Sequence, residues 1–377
     1  MKTSPGTESE KPFDADLCVH CPNLCMFTCP ATVGGGGTAT SPFGKVTALH
    51  WSENTEILTN EEVAHLPFLC TECNLCTEIC AHDQPVSSFL YEKRTEIFRK
   101  RQTPAECIQM IPDEEALRDV LLQAEKQLGP RGQPKIVYAP GCATLKQGAK
   151  RIVEVVELLE HLGVSNVGID PNAPICCGAP WRNLGDTAGF LGRASHWRRL
   201  FSQREGVLVG DPLCLRTITE HIPEPLDKQY EPTTMSLRRF LSRTIRGMLR
   251  EPLALTVAIH ETCHTSRHLG RDEAPTALLN AILKTPPVQL GFNGSETQCC
   301  GAGGGMDSIA PDLSMGASKG LLERAALLKV DCLLTLSPNC AESLTAAHRK
   351  NPELPRPIEL IDLVAMASDF QAEEKEG

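Results

Sequence analysis

No stretch of this 377-residue chain stays apolar over the roughly 18 residues that a membrane-crossing helix needs. Its opening, MKTSPGTESEKPFDAD, lacks the apolar core of a secretion signal, so a cytoplasmic protein is expected. Positive charge is in deficit. The 37 Lys and Arg against 47 Asp and Glu leave a net charge of −10, which argues against nucleic acid as the main partner. No set of acid, base and nucleophile stands out, so any hard chemistry is expected to belong to cofactors. The glycine run GAGGG after Cys300 lacks the Lys-Ser/Thr ending of a phosphate loop. The run Gly34 to Gly37 reads as a flexible loop.

What the chain has in excess is cysteine, 18 in all. Disulfide scaffolds are usually small secreted domains. In a chain of this size, clustered cysteines point instead to metal or redox chemistry. Eight fall in the first 80 residues, in two runs: CVHCPNLCMFTCP (Cys18, Cys21, Cys25, Cys29) and CTECNLCTEIC (Cys70, Cys73, Cys76, Cys80). The second run has the C-x-x-C-x-x-C-x-x-x-C spacing that wraps three thiolates round one iron–sulfur cluster and sends the fourth to another. The first run has one extra residue between its second and third cysteines but keeps the terminal Cys-Pro. The expected ligand sets are therefore Cys18, Cys21, Cys25 with Cys80, and Cys70, Cys73, Cys76 with Cys29, each for a 4Fe–4S cubane. C-x-x-C pairs also build zinc ribbons, but two full runs leave surplus thiols without a role there.

A helix is expected over about Asp113 to Gln127, followed by the turn-forming boundary GPRGQP. Beyond it, strand-like and helix-like patterns alternate, which favours parallel sheets covered by helices. The alternation occurs twice. KIVYAPGC, a helical stripe (Ile152, Val155, Val156, Leu159, Leu162), CCGAP and GVLVGDPLC correspond to LALTVAIHETC, APTALLNAILK, CCGAGG and CLLTLSPNC. Cys142 aligns with Cys263, Cys176 and Cys177 with Cys299 and Cys300, and Cys214 with Cys340. An internal duplication of about 120 residues accounts for this. Strand ends are where sites form in open α/β sheets. Adjacent cysteines can both point into one metal–sulfur core, with glycine letting the backbone come close. Cys107 and Cys332 fit no motif and read as buried small apolar residues.

The pattern Cys, about 35 residues, Cys-Cys-Gly, about 35 residues, Pro-x-Cys resembles the cysteine-rich CCG domain. That domain occurs in tandem in heterodisulfide reductase subunits. It also occurs in iron–sulfur subunits of glycolate oxidase, anaerobic glycerol-3-phosphate dehydrogenase and lactate-utilisation systems. SPFGKV (Ser41 to Val46) resembles the Ser-Pro-Arg-Gly-Arg stretch of those subunits, with Phe43 in place of arginine. HETCH (His260 to His264) resembles their His-x-x-Cys-His segment. The resemblance spans about residues 18 to 345. It implies further iron–sulfur clusters, one or two, at Cys142, Cys176, Cys177, Cys214, Cys263, Cys299, Cys300 and Cys340. It also implies partners: a flavoprotein dehydrogenase and other redox subunits, through which any membrane association would be made. One departure bears on activity. Heterodisulfide reductase subunits end each CCG domain in Cys-x-x-Cys, with five thiolates for a non-cubane cluster. Here Asp211 and Ser337 replace the first cysteine, leaving four thiolates per domain and favouring plain electron transfer.

HETCH also matches the H-E-x-x-H zinc-protease signature. That chemistry needs both histidines on one helical face, whereas His260 ends the strand pattern LTVAI. SLRRFLSRTIRGMLR sets Arg238, Arg239, Arg243, Arg246 and Arg250 against Leu237, Phe240, Leu241 and Met248. It reads as a surface amphipathic helix linking the repeats, or alternatively as a docking face for an acidic partner or a membrane.

The expected fold is α+β, with a mainly helical ferredoxin-type domain (1–110), a helix and linker (111–132) and two α/β CCG domains with parallel sheets (133–235 and 253–367). A linking helix (236–252) and a polar, frayed tail (368–377) complete it. The expected function is an electron-transfer subunit of an oxidoreductase, between a flavoprotein dehydrogenase and a quinone or other acceptor. The alternative is a heterodisulfide-reductase-like enzyme that reduces a disulfide at a CCG-domain cluster.

Overall fold

The structure, a computed structural model, describes residues 12–55, 60–130, 132–221, 234–245, 250–270 and 274–371. Up to Leu128 the described chain is helical. Ser41 caps the helix Pro42–Asn54 by accepting the Gly44 N–H at 2.9 Å, with Pro42 in its first turn. Gly44 is required there, since a Cβ would stand 2.2 Å from the Thr38 carbonyl oxygen. This gives SPFGKV its local meaning. The helix Glu114–Leu128 starts at Asp113, whose carboxylate accepts from Glu115 and Ala116.

Two four-stranded parallel sheets follow. The first is built from β1 (Ile136–Ala139), β2 (Val167–Gly168), β3 (Gly206–Val209) and β4 (Thr234–Ser236), in the order β2-β1-β3-β4. The second repeats that order with β5 (Val257–His260), β6 (Val288–Gln289), β7 (Cys332–Thr335) and β8 (Arg356–Glu359), as β6-β5-β7-β8. In each, the chain runs from the second strand in space outward to one edge, then returns to the other side. The reversal leaves a crevice between β1 and β3, and another between β5 and β7, at their carboxyl ends. Register sharpens this. Ala139 pairs with Val209 and His260 with Thr335, so Cys142 with Cys214, and Cys263 with Cys340, emerge at the same sheet edge.

The short edge strands β4 and β8 carry no apolar run that would announce them; TMS and RPIE pair only because β3 and β7 offer an open edge. The expected linking helix is Leu237–Thr244, and it follows β4 directly, packing on β3 and on the helix Ala274–Ile282. It is not a solvent-faced connector: Leu237, Leu241 and Ile245 are buried, and so are Arg238 and Ser242. Arg246 and Met248 of that segment lie outside the described residues. Both sheets share one apolar core, in which Leu121, Ile152, Val156 and Leu208 meet Ile259, Leu279, Leu334 and Val364. The tail expected to fray from 368 is docked as far as Phe370, whose ring lies 5.6 Å from that of His161. Residues 372–377 lie outside the described residues.

Gly34 to Gly37 is no free loop. Gly34 is so close to the helix Pro311–Leu327 that a Cβ would stand 2.0 Å from the Leu313 carbonyl oxygen. No helix among the described residues is long and apolar enough to cross a membrane.

Candidate metal centres

The sixteen motif cysteines gather into four groups, and none of the described cysteines is in a disulfide. The Cys18 thiol lies among those of Cys80, Cys25 and Cys21. The Cys76 thiol lies among those of Cys73, Cys70 and Cys29. Cys80 thus sits with the first run's three cysteines, while Cys29 lies beside both Cys76 of the second run and Cys25 of its own. Cys142, Cys176, Cys177 and Cys214 form a third group, gathered on the wall of one cavity. Cys263, Cys299, Cys300 and Cys340 form the fourth, with Cys300 and Cys340 sulfurs 2.9 Å apart. Cys107 and Cys332 stand apart, both buried. Cys107 packs with Phe68, Met110 and Leu184, and Cys332 opens β7.

The donor chemistry fits a cationic iron–sulfur core. Burial first, then the three neighbouring sulfurs and Asp14, push Cys18 up to about 12. Burial likewise pushes Cys25 up to about 11. A positive metal beside such buried thiols favours their ionised form. Backbone N–H groups already point at sulfur in three of the four groups and at Cys80 of the remaining one. Glu72 N donates to Cys70 at 3.4 Å, His82 N to Cys80 at 3.4 Å, Gly178 N to Cys176 at 3.5 Å and Gly301 N to Cys299 at 3.4 Å. Arg267 Nη2 is buried with no hydrogen-bond partner, a donor that a sulfide would satisfy. Among the described residues no three His, Cys, Asp or Glu side chains converge as one metal ion requires; a four-iron core takes each thiolate at its own corner.

The glycine after each cysteine pair has a positive φ of 92°. In the second repeat a Cβ at Gly301 would also stand 2.9 Å from the Ser314 carbonyl oxygen. At this turn Cys299 and Cys300 stay beside each other, while Cys299 also meets Cys263 and Cys73, and Cys300 also meets Cys340. Cys73 packs with Cys263, Cys299 and Leu75 in one buried cluster, and contact with Cys299 is the leading reason that Cys73 is lowered. The second N-terminal group and the fourth group therefore touch through sulfur. The GAGGG run makes this approach possible. A Cβ at Gly303 would lie 2.5 Å from the Thr71 carbonyl oxygen, and one at Gly304 2.0 Å from that of Cys70.

Residues 257–345 match the CCG cysteine-rich domain family. The first sheet, with the same strand order and the same cysteine placement, is the other CCG-like unit. The chain is 25% identical over 308 residues to a fumarate reductase (CoM/CoB) subunit of Methanothermobacter marburgensis, covering 78% of this chain but only 61% of that one. It is 22% identical over 367 residues to a dihydromethanophenazine:CoB–CoM heterodisulfide reductase subunit of Methanosarcina barkeri, covering 88% and 89%. It is 33% identical over 171 residues to lactate utilization protein A of Macrococcus caseolyticus, covering 41% and 65%.

The two CCG units differ in access. A cavity of about 300 Å³ is lined by all four cysteines of the first unit, with Lys146, Asp211, Asp307 and Asn339 on its walls. The cysteines of the second unit are all buried, Cys263 and Cys299 against Cys73 and Leu75 of the N-terminal domain, Cys300 and Cys340 in the core of their own unit. HETCH is split between elements, as its strand pattern required. His260 ends β5 and its Nε2 lies 3.0 Å from the Gln298 carbonyl, while His264 begins a turn beside Cys263.

What the sequence did not reveal is the set of cations round the Cys70–Cys73 loop. Lys45 donates to the Leu69 carbonyl at 2.8 Å and lies 3.9 Å from the Cys29 sulfur. Arg94 donates to the Cys70 carbonyl, Arg216 to that of Glu72 at 3.4 Å, and Arg267 to that of Cys73 at 2.6 Å. The Glu72 carboxylate pairs with Arg94 at 3.2 Å and with Arg182. Burial alone would raise it, but Arg182, Arg94 and Arg216 outweigh that and hold it down to about 2. Of these cations only Lys45 falls in a stretch the sequence had singled out.

Proposed function

We propose that the chain is an iron–sulfur electron-transfer subunit of an oxidoreductase, working in the cytoplasm between a flavoprotein dehydrogenase and a quinone or other redox acceptor. The observation that carries this is the gathering of sixteen cysteines into four groups of four, one pair of groups in sulfur contact. Cys18, Cys21, Cys25 and Cys80 would hold one 4Fe–4S cluster, and Cys29, Cys70, Cys73 and Cys76 another. The CCG units, at 133–235 and 253–367, would hold one or two further clusters. When bound, such clusters take up and release single electrons. The protein's part is to bury the thiolates, offer backbone N–H groups to sulfur and place charge nearby. The relatives named as reductase and lactate-utilisation proteins support this reading.

The test is anaerobic purification with iron and acid-labile sulfide analysis, visible absorbance and electron paramagnetic resonance. Broad brown absorbance and stoichiometric sulfide are expected. A colourless protein, or one with zinc alone, would overturn the proposal.

The open cavity over the first CCG unit favours a second reading, reduction of a disulfide or related substrate there. Titrating the oxidised protein with thiols decides between them. A paramagnetic state that forms only with a thiol ligand supports the enzyme, and its absence supports the relay.

A further inference from the structure

The two N-terminal cysteine groups differ in the charged residues placed beside them. Round the Cys29, Cys70, Cys73 and Cys76 group stand Lys45, Arg94, Arg182, Arg216 and Arg267, of which Glu72 pairs with Arg94 and Arg182 and Glu220 with Arg216. Lys45 and Arg94 are almost wholly buried, at 1% and 0% exposure. They are held in place: four carbonyls in the stretch Leu69–Cys73 each accept from a cation, and Arg182 also lies over the Tyr91 ring at 4.0 Å. The Cys18 group has different company. Cys18 lies in the helix Ala15–Val19, which the Asp14 carboxylate caps by accepting from Leu17 at 3.1 Å, and the Asp16 carboxylate on that helix lies 3.5 Å from His50.

A reduced cluster carries one more negative charge than an oxidised one. Buried cations a few ångströms away stabilise that extra charge strongly, because little water screens them. Net charge, hydrogen bonds and exposure are the protein's means of setting cluster potentials.

Resting on the iron–sulfur reading above, we propose that this collar of Lys45, Arg94, Arg182, Arg216 and Arg267 makes the inner Cys29/Cys70/Cys73/Cys76 site the higher-potential of the two N-terminal sites. One electron shared between them then resides on the inner site, beside Cys299. No bond forms or breaks and no proton moves. The collar gives the N-terminal domain a direction, inward from the Cys18 edge toward the second CCG unit. Lys45 and Arg182 are positioning residues for charge and ligate nothing themselves.

The test is a potentiometric titration of the whole anaerobically purified chain, followed by electron paramagnetic resonance. Cys18→Ala, which removes the outer site, assigns the two N-terminal waves. The inner midpoint is expected above the outer one. Lys45→Met should shift the inner midpoint down and leave the outer one unmoved, and Lys45→Arg should restore it. Arg182→Gln, at a more exposed position, should shift it the same way and serves if Lys45→Met fails to assemble. A clustered protein with the inner midpoint at or below the outer one, or unmoved by both charge removals, overturns the collar's role alone. A protein without iron and sulfide overturns the functional reading and the collar with it.

Discussion

The Ser337 hydroxyl lies 3.2 and 3.3 Å from the two carboxylate oxygens of Asp211. These are equivalent positions of the duplication, each starting the helix after its central strand, and they bind each other across the two units. Asp211 also accepts the Leu213 N–H at 2.7 Å and the Asn339 N–H at 3.0 Å. With both oxygens so engaged, Asp211 reads as a clasp between the units, and each cysteine group is left with four thiolates. Asp211→Asn should keep the iron content of the wild type. Asp211→Ala, which strands buried donors, should cost about 2–3 kcal/mol in denaturant unfolding. Loss of one cluster's iron in the asparagine variant would make Asp211 a ligand instead.

The exchange of fourth cysteines has a spectroscopic signature. Cys80→Ser should remove the same paramagnetic signal as Cys18→Ser, and Cys29→Ser the same signal as Cys76→Ser. If Cys80→Ser instead matches Cys76→Ser, each run holds its own cluster.

Gly304→Ala should detach the second CCG unit from the N-terminal loop. Its φ of +64° is costly for alanine, and the new methyl would collide with the Cys70 carbonyl. A destabilisation of about 2–4 kcal/mol is expected, with selective loss of the inner signal. Gly320→Ala, where a Cβ meets nothing within 4 Å, is the control. Equal behaviour of the two variants would count against close packing here.

Asp307 lies on the cavity wall, where burial chiefly, with Glu342 adding and Lys146 opposing, raises it to about 6. A raised carboxyl favours folding below its unfolded pKa of about 4 and loses that contribution as pH rises through about 6. Asp307→Asn should therefore gain on the wild type between pH 4.5 and 6.5 and hold a constant advantage above. Partial exposure limits that advantage to on the order of 1–2 kcal/mol. Thermal melts across this range measure it; a pH-independent difference would refute it.

Cys107→Ser and Cys332→Ala should retain full iron and sulfide. Each should lose about 1–2 kcal/mol of stability for its disturbed packing. Missing iron in either would give that thiol a ligand role.

How much was legible in the sequence depended on how local the cause was. The strand ends and cysteine repeats were readable because hydrophobic runs and ligand spacing are one-dimensional patterns. β4 and β8 were not, since three or four mixed residues become a strand only beside a partner edge. The glycine runs looked like a loop and a decoy; their purpose lies in backbone 200 or more residues away, Gly304 against Cys70 and Gly34 against Leu313.

The sequence by itself determined the thiol inventory, the duplication and the parallel sheets, because soft ligands at fixed spacing and apolar periodicity carry their own chemistry. Only the tertiary structure decided which sulfurs meet, which CCG unit opens to a cavity, and that cations from three separate regions surround one loop. Those depend on through-space distance in a poorly screened interior, where charges far apart along the chain act as neighbours.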